Sequence, residues 1–183
     1  AAGRTLKSKG AQISYQKNDD GTYSIIQNSG FSNDNITKVV RKYDTQGRLD
    51  RSTQYYKEGC TLTSATYVYS PDGKIQSKTN RKSNGDIFID LYDNNGKIVK
   101  ETRRYLNGKV TVGTPTSDGR FVFRQTQAAY PQNVQNKIAE IRSREGEFSV
   151  TKAKDGSYIV TEKSSALLQQ GITRKTYQYK DGK

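Results

Sequence analysis

The sequence contains no histidine, tryptophan or methionine, and it has a single cysteine, Cys60. Histidine is the commonest general base, the usual activator of serine and cysteine nucleophiles, and the commonest transition-metal ligand. Its absence argues against most hydrolases and most zinc or copper sites. Cys60 cannot form an intrachain disulfide, and it lacks the usual partner of a catalytic thiol. We therefore expect a protein that is not an enzyme and that uses no metal or other cofactor.

Apolar residues are also scarce, at 31% of the chain, and tyrosine supplies 13 residues of that fraction. No apolar run reaches the roughly 18 residues of a membrane span. The balance suits a solvated sheet with a thin core better than a compact enzyme. Disorder is disfavoured because β-branched and aromatic residues recur regularly between turn signals.

Acidic residues are fewer than basic ones: the chain has 18 aspartates and glutamates and 31 lysines and arginines, which gives a net charge of +13. An anionic partner is electrostatically plausible: nucleic acid, an anionic polysaccharide, or a lipid or wall surface. The cations are nevertheless spread along almost every expected strand, without a block of five like charges. Scattered charge is typical of solvated faces and guarded strand edges, so both interpretations stay open.

Turn tripeptides that end in glycine are the most regular feature of the chain. Asn-Gly and Asp-Gly tolerate the positive φ of tight hairpin turns, and spacings of 11 to 14 residues indicate an antiparallel meander. The turn glycines are Gly47, Gly59, Gly73, Gly85, Gly96, Gly108 and Gly119, with two more, Gly21 and Gly156, at the two ends of the chain.

A large apolar residue follows most of these glycines at the second position, as in Leu49, Ile75 and Ile98. Strict alternation would place Ser77, Thr79 and other polar residues on the same face, which would leave that face only partly apolar.

One helix is predicted from Asn133 to Arg144, where Val134, Ile138 and Ile141 recur at helical spacing and Gly146 could end it. The expected fold is mainly β: a curved or extended antiparallel meander of repeated hairpins with one short helix. That helix would lie against the more apolar face of the sheet or join two modules.

Three segments share a Tyr-x-x-x-Gly-x-Leu/Ile pattern, from Tyr43 to Leu49, Tyr69 to Ile75 and Tyr92 to Ile98. The pattern resembles the YD repeats of bacterial RHS-type surface and toxin-shell proteins, and it is similar to variant MORN repeats, over roughly residues 43–124. The resemblance implies a hairpin architecture and a secreted or cell-surface location, in a bacterium.

A longer repetition aligns residues 13–25 with residues 148–160 at an offset of 135, with five identical positions. Upstream, Leu6 to Lys9 aligns with Ile141 to Arg144 through conservative matches. Downstream, after one inserted residue, Tyr43 aligns with Tyr179. We expect residues 1–146 to form a module that ends in the helix. Residues 147–183 would then open a second, related copy or close the same sheet. Shared composition of similar hairpins is the alternative explanation.

Carboxylate pairs offer weak candidates for chemistry. Asp86 and Asp90 share strand parity and are expected on the wetter face, as polar residues of a half-buried strand rather than a glycosidase pair. Asp93 to Gly96 is interpreted as a turn rather than a calcium loop, because Leu91 and Thr102 stand where that loop needs acidic ligands.

Tyrosines interleave with basic residues in three places. A flat sheet with such residues could stack single-stranded nucleic acid or sugar rings, although tyrosine is also simply a good cross-strand residue. No specific nucleic-acid motif is present. The candidate binding face consists of Tyr55, Tyr56, Arg103, Arg104, Tyr105, Arg174, Lys175, Tyr177 and Tyr179.

Two functions follow from these patterns as expectations. The first is an extracellular structural or adhesive β-repeat module, a subunit or repeat of a surface assembly that associates through strand pairing. The second is a secreted or phage-associated protein that holds an anionic polymer, polysaccharide or nucleic acid, on a basic, tyrosine-rich sheet face. The sequence does not identify the ligand.

Overall fold

The computed structural model describes residues 5–8 and 11–180, and it divides the chain into two compact units. Unit 1 is Ala1–Ala128 and unit 2 is Ala129–Lys183. The boundary therefore precedes the predicted helix instead of following it at residue 146. The reason is that the helix packs on the strands that come after it in the chain.

The described part of unit 1 is one antiparallel sheet of eleven strands whose order in space is their order in the chain. This arrangement confirms the predicted meander. The strands are β1 Thr5–Ser8, β2 Ala11–Lys17, β3 Tyr23–Gln27, β4 Ile36–Tyr43, β5 Leu49–Tyr56, β6 Leu62–Tyr69, β7 Ile75–Lys82, β8 Ile87–Tyr92, β9 Ile98–Arg104, β10 Val110–Pro115 and β11 Phe121–Gln127.

Most hairpin turns share one hydrogen-bond pattern, which the turn after β4 illustrates. The Asp44 amide donates to the Arg48 carbonyl at 2.9 Å, and the Gly47 amide donates back to the Asp44 carbonyl at 3.1 Å. A three-residue loop of this kind needs its last residue in the left-handed region, which glycine adopts freely. All nine predicted turn glycines have φ between 78° and 92°, which confirms their assignment.

Replacing Gly96 by valine should destabilise the protein by about 1 kcal/mol or more, because a branched side chain disfavours left-handed geometry. No atom lies within 4 Å of a Cβ added at Gly96, where φ is +78°, so the cost comes from the backbone alone. Urea denaturation measures the effect, and Gly96→Asn is the matched control, since asparagine tolerates this conformation. Equal stability of the valine variant and the parent protein would contradict the turn assignment.

Three hairpins carry a bulge beside the turn. Tyr69 pairs with Ile75 while its neighbour Val68 pairs with Ser77, which leaves Gln76 as the extra residue. Corresponding bulges follow Tyr43 and Tyr92. Because a bulge interrupts strict alternation, Ile75 lies on the same face as its partner Tyr69, and Ser77 lies on the opposite face with its partner Val68. The expectation that they share a face was wrong.

The two faces of the unit 1 sheet differ sharply in composition. Directly paired residues share a face, and pairing places ten of the eleven strand aromatics on one side, here called the aromatic face. Val39 and Ala65, the buried apolar residues of the described part of unit 1, lie on this face too. Its aromatic residues are Tyr15, Tyr23, Tyr43, Tyr56, Tyr67, Tyr69, Phe88, Tyr92, Phe121 and Phe123.

Unit 2 contains helix α1, Gln132–Ser143, and a three-stranded antiparallel sheet of its own, with a second short helix, α2, Ser165–Gln169. The strands are β12 Glu147–Lys152, β13 Tyr158–Lys163 and β14 Lys175–Tyr179. Helix α1 packs on β12 and β13. Its bounds agree with the prediction within one residue, and the three residues of its predicted apolar stripe are all buried.

Helix α1 ends at a left-handed residue, but that residue is Glu145, with φ 57°, and not the predicted Gly146. The Gly146 amide donates to the Ile141 carbonyl at 2.9 Å, and the Glu145 amide donates to the Arg142 carbonyl. This is a Schellman motif. Glycine is needed at position 146 because an added Cβ would lie 2.7 Å from Cγ2 of Ile141.

Helix α2 was not predicted from the sequence. Its N-cap is Ser164, whose hydroxyl accepts a hydrogen bond from the Leu167 amide at 3.3 Å, and Gly171 follows the helix with φ 73°. A serine cap and a terminal glycine are ordinary helix signals. Five residues are too few for a detectable apolar period.

The two repeated hairpins have equivalent pairing. In the first hairpin Lys17 pairs with Tyr23, and Tyr23 also pairs with Tyr43 on the next strand. In the second hairpin Lys152 pairs with Tyr158, and Tyr158 also pairs with Tyr179 on the next strand. The turns agree as well, since a turn aspartate accepts the amide two residues later in both. The likeness therefore extends over three strands, β2 to β4 and β12 to β14.

Upstream of these strands the repetition fails. Leu6 lies in strand β1, whereas its aligned counterpart Ile141 lies in helix α1. Lys9, the last residue of that match, falls outside the described residues. Conservative matches over four residues do not specify secondary structure, because tertiary packing overrides local propensity.

Candidate functional site

The face opposite the aromatic face has a central row of β-branched residues that crosses the strands. Direct pairing connects Val40 on β4 to Thr53, and the row then continues to Thr66, Thr79, Ile89, Thr102 and Val112 on successive strands. Thr53 and Thr66 share a hydrogen bond of 3.1 Å between their hydroxyls. The four threonines of this row are here called the threonine row.

Cations flank the threonine row on both sides. On the side of the Gly47 and Gly96 turns lie Lys42, Arg51 and Lys100, and on the other side lie Lys38, Arg81 and Arg104. The two flanking rows are four residues apart along the strands, or about 13 Å. Arg124 on β11 continues the central row beyond Val112. These seven residues define the basic face.

Carboxylates are missing from the strand positions of the basic face. Strands β2 to β11 contain three, of which Asp90 and Glu101 pair with each other on the aromatic face and Asp50 is the extra residue of a bulge. Lys42 lies 3.8 Å from Asp20 of a turn, and Lys38 lies 5.5 Å from the centre of the Tyr55 ring.

The other five cations of the basic face are exposed, and none forms an ion pair with another residue in the described part of the chain. Like charges without counter-charges produce a positive potential over the face they share. Strands β2 to β11 place seven cations on the basic face and five on the aromatic face, so the basic face differs mainly in its lack of strand carboxylates. The five cations of the aromatic face are Lys17, Arg41, Lys78, Lys82 and Arg103.

The aromatic face is electrically different. Burial raises the pKa of Asp90, and the neighbouring Glu101 carboxylate raises it further. Glu101 accepts a hydrogen bond of 2.6 Å from Arg103, whose guanidinium lies 3.9 Å from the centre of the Phe123 ring. Asp90 was expected on the wetter face, and this was wrong because it lies on the aromatic face, with Tyr67 and Phe88, and is partly buried there.

Asp86 and Asp93, the other carboxylates considered from the sequence, hold turns. Asp86 accepts a hydrogen bond from the Leu106 amide at 2.9 Å, and Asp93 accepts from the amides of Asn95 and Lys97. Among the described residues no group of three or more His, Cys, Asp or Glu side chains could hold a metal ion. In the same part of the chain, no helix is both long and apolar enough to cross a membrane.

The turn aspartates make stability depend on pH. Asp44 accepts a hydrogen bond of 2.9 Å from the Arg48 amide, and this bond, followed by the Arg48 side chain, lowers the pKa of its carboxyl. The pKa is also lowered at four other turn aspartates: Asp20, Asp72, Asp118 and Asp155. A lowered folded-state pKa adds stability above the unfolded pKa, and that stability is lost as pH falls through the folded pKa.

We therefore expect the melting temperature to fall between about pH 4 and pH 2. Asp44→Asn keeps an oxygen acceptor but loses the charge, so its melting temperature should fall less over this range than that of the parent protein. Asp19→Asn is the control, since the Asp19 side chain makes no hydrogen bond within the described residues. Identical pH profiles for Asp44→Asn and the parent would rule out the Asp44 contribution.

The candidate binding residues predicted from the sequence do not form one surface. Tyr55 and Arg104 lie on the basic face, while Tyr56 and Arg103 lie on the aromatic face. Tyr105 begins a turn, and its ring packs edge-on against Phe88 at 6.2 Å. The remaining four belong to unit 2: Arg174, Lys175, Tyr177 and Tyr179.

Sequence reasoning identified only Arg104 among the seven cations of the basic face. It missed the other six: Lys38, Lys42, Arg51, Arg81, Lys100 and Arg124. A signal for several of them was present. Arg51 lies four residues after Gly47, and Lys100 lies four residues after Gly96. A threonine lies six residues after each of Gly47, Gly73 and Gly96. These constant offsets from the turn glycines mark the rows that the sheet aligns.

No family model matches the chain, and no curated protein is significantly similar to it. The resemblance to YD and MORN repeats therefore stays a prediction. The hairpins themselves rest on the turn geometry and strand pairing described above.

Proposed function

We propose that the chain is an extracellular, adhesive β-repeat module that attaches to an anionic polymer through the basic face of unit 1. The observation that supports this most directly is the placement of seven cations on one face of the sheet with no strand carboxylate among them. The resemblance to bacterial surface repeats supports the location outside the cell.

Electrostatic attachment of this kind should depend steeply on salt. At about 50 mM salt the protein should bind polygalacturonate, a sulfated glycan and single-stranded DNA, and binding should weaken by orders of magnitude towards 0.5 M salt. Titration at a series of salt concentrations measures the slope. Failure to bind any of the three polymers at low salt would overturn the proposal, and tight binding at 0.5 M salt would contradict its electrostatic basis.

A second candidate function is self-association through strand edges, which a structural repeat would need. In unit 1, β4 pairs with strands on both sides, whereas its counterpart β14 pairs only with β13 among the described residues. An unpaired edge is a ready template for another strand. We propose that β14 pairs with a strand of a neighbouring copy or repeat.

Adjacent residues of an edge strand direct their amides alternately towards the sheet and towards the open edge. Lys175 and Thr176 are adjacent on β14, so proline at Lys175 removes an amide of one orientation and proline at Thr176 removes an amide of the other. The two variants should therefore differ: one should lose the pairing of β14 with β13, and the other should lose only the oligomers that analytical ultracentrifugation detects. A protein that stays monomeric at millimolar concentration would overturn this second proposal.

A further inference from the structure

The basic face carries more than charge. The threonine row places hydroxyls on β5, β6, β7 and β9, over a span of about 19 Å at the usual strand spacing. Ser77 lies on the same face in a flanking row and is half-buried, whereas Ser64, in the other flanking row, is buried. Hydroxyls donate and accept hydrogen bonds, so this face can bond neutral hydroxyls and anionic groups of one ligand together.

Aromatic stacking platforms are nearly absent from this face. Tyr55 is the one strand aromatic of unit 1 that lies on it, and the other ten lie on the opposite side of the sheet. Proteins that bind single-stranded nucleic acid without sequence preference rely on such platforms, because stacking holds successive bases. The composition of the basic face therefore favours a polyanion that needs charge and hydrogen bonds more than stacking.

We propose that the basic face binds one chain of an acidic polysaccharide laid across the strands. The sugar hydroxyls contact the threonine row, and the carboxylate or sulfate groups lie against the cations of the two flanking rows. Successive strands lie about 4.8 Å apart. A linear polymer laid across them meets flanking cations on β4, β5, β7 and β9 and threonines on β5, β6, β7 and β9, whereas β8 presents Ile87, Ile89 and Leu91 to this face. This inference rests on the proposed function and specifies its ligand and the orientation of that ligand.

The first test removes charge. The full chain with Arg81→Gln, Lys100→Gln and Arg104→Gln should bind polygalacturonate at least about tenfold more weakly, with a salt slope smaller by about one for each cation removed. The matched control is Lys17→Gln with Lys78→Gln and Lys82→Gln, which neutralises three cations of the aromatic face and should leave affinity within about twofold of the parent protein. An equal loss in both variants would show that binding follows net charge and would overturn the assignment to the basic face.

The second test removes hydroxyls while keeping β-branched shape. The Thr66→Val, Thr79→Val variant should lose about threefold to tenfold in affinity for polygalacturonate and little for single-stranded DNA, because each lost hydrogen bond contributes a modest free energy. Circular dichroism spectra of every variant establish that the sheet is intact.

The outcomes separate the two levels of the proposal. Binding of single-stranded DNA that is tighter than that of polygalacturonate, or an unchanged affinity in the threonine variant, would overturn the polysaccharide inference while leaving polyanion attachment intact. Failure of the parent protein to bind every polymer tested would overturn the proposed function itself.

Discussion

Replacing Ile138 by alanine is expected to lower the free energy of unfolding of unit 2 by about 2 to 5 kcal/mol. The Ile138 side chain is 2% exposed and shares the core of unit 2 with Val134, Ile141 and Val160, which are fully buried. With so few large apolar side chains in this core, neighbouring residues cannot close the space that the substitution leaves. The loss of unfolding free energy should therefore include the cost of the cavity as well as the transfer free energy of the deleted methyl and methylene groups.

Thermal unfolding followed at 222 nm measures this loss, because α1 supplies most of the helix in the described chain. Ile172→Ala is the matched control, since it deletes the same atoms from a side chain that is 38% exposed and should cost well under 1 kcal/mol. Similar losses in the two variants would show that α1 is not anchored by its apolar stripe.

Replacing Tyr177 by phenylalanine is expected to cost about 1 to 3 kcal/mol. The Tyr177 hydroxyl donates a hydrogen bond of 2.8 Å to Oε2 of Glu162, whose side chain is 3% exposed. The substitution leaves that buried oxygen without its donor. Arg144 is half exposed, donates a hydrogen bond to Glu140 and lies 3.5 Å from the other oxygen of Glu162, which is longer than an ordinary hydrogen bond.

Tyr179→Phe provides the control, because it removes a hydroxyl from the same strand that makes no side-chain hydrogen bond within the described residues. Chemical denaturation should show Tyr177→Phe clearly less stable than Tyr179→Phe. If the two variants were equally stable, Glu162 would not depend on Tyr177. Lys137, which lies 4.1 Å from the Tyr177 ring, keeps its ring partner in the phenylalanine variant, so the comparison isolates the hydroxyl.

The hairpins could be predicted because each turn is a local signal. The segment from Asp44 to Arg48 contains within five residues the acceptor and the glycine that its loop requires. Loop length then sets the register of the two flanking strands. For the same reason the repeated hairpins around Gly21 and Gly156 could be aligned from sequence and have the same pairing in the structure.

The candidate site was predicted less well, for a geometric reason. Tyr55 and Tyr56, or Arg103 and Arg104, are neighbours in sequence, so they lie on opposite faces of a strand. Adjacent residues of a regular strand therefore do not share a face. Residues that do share the basic face, such as Arg51 and Lys100, are far apart in the chain, and the bulges after the tyrosine turns shift strand parity between them.

The sequence by itself determined the meander, its turn glycines and helix α1, because turn chemistry and helical periodicity act over a few residues. Only the tertiary structure decided that α1 belongs with the strands after it, and which cations share a face. Both depend on pairing and packing between residues distant in the chain, where a single bulge moves a side chain to the other side of the sheet.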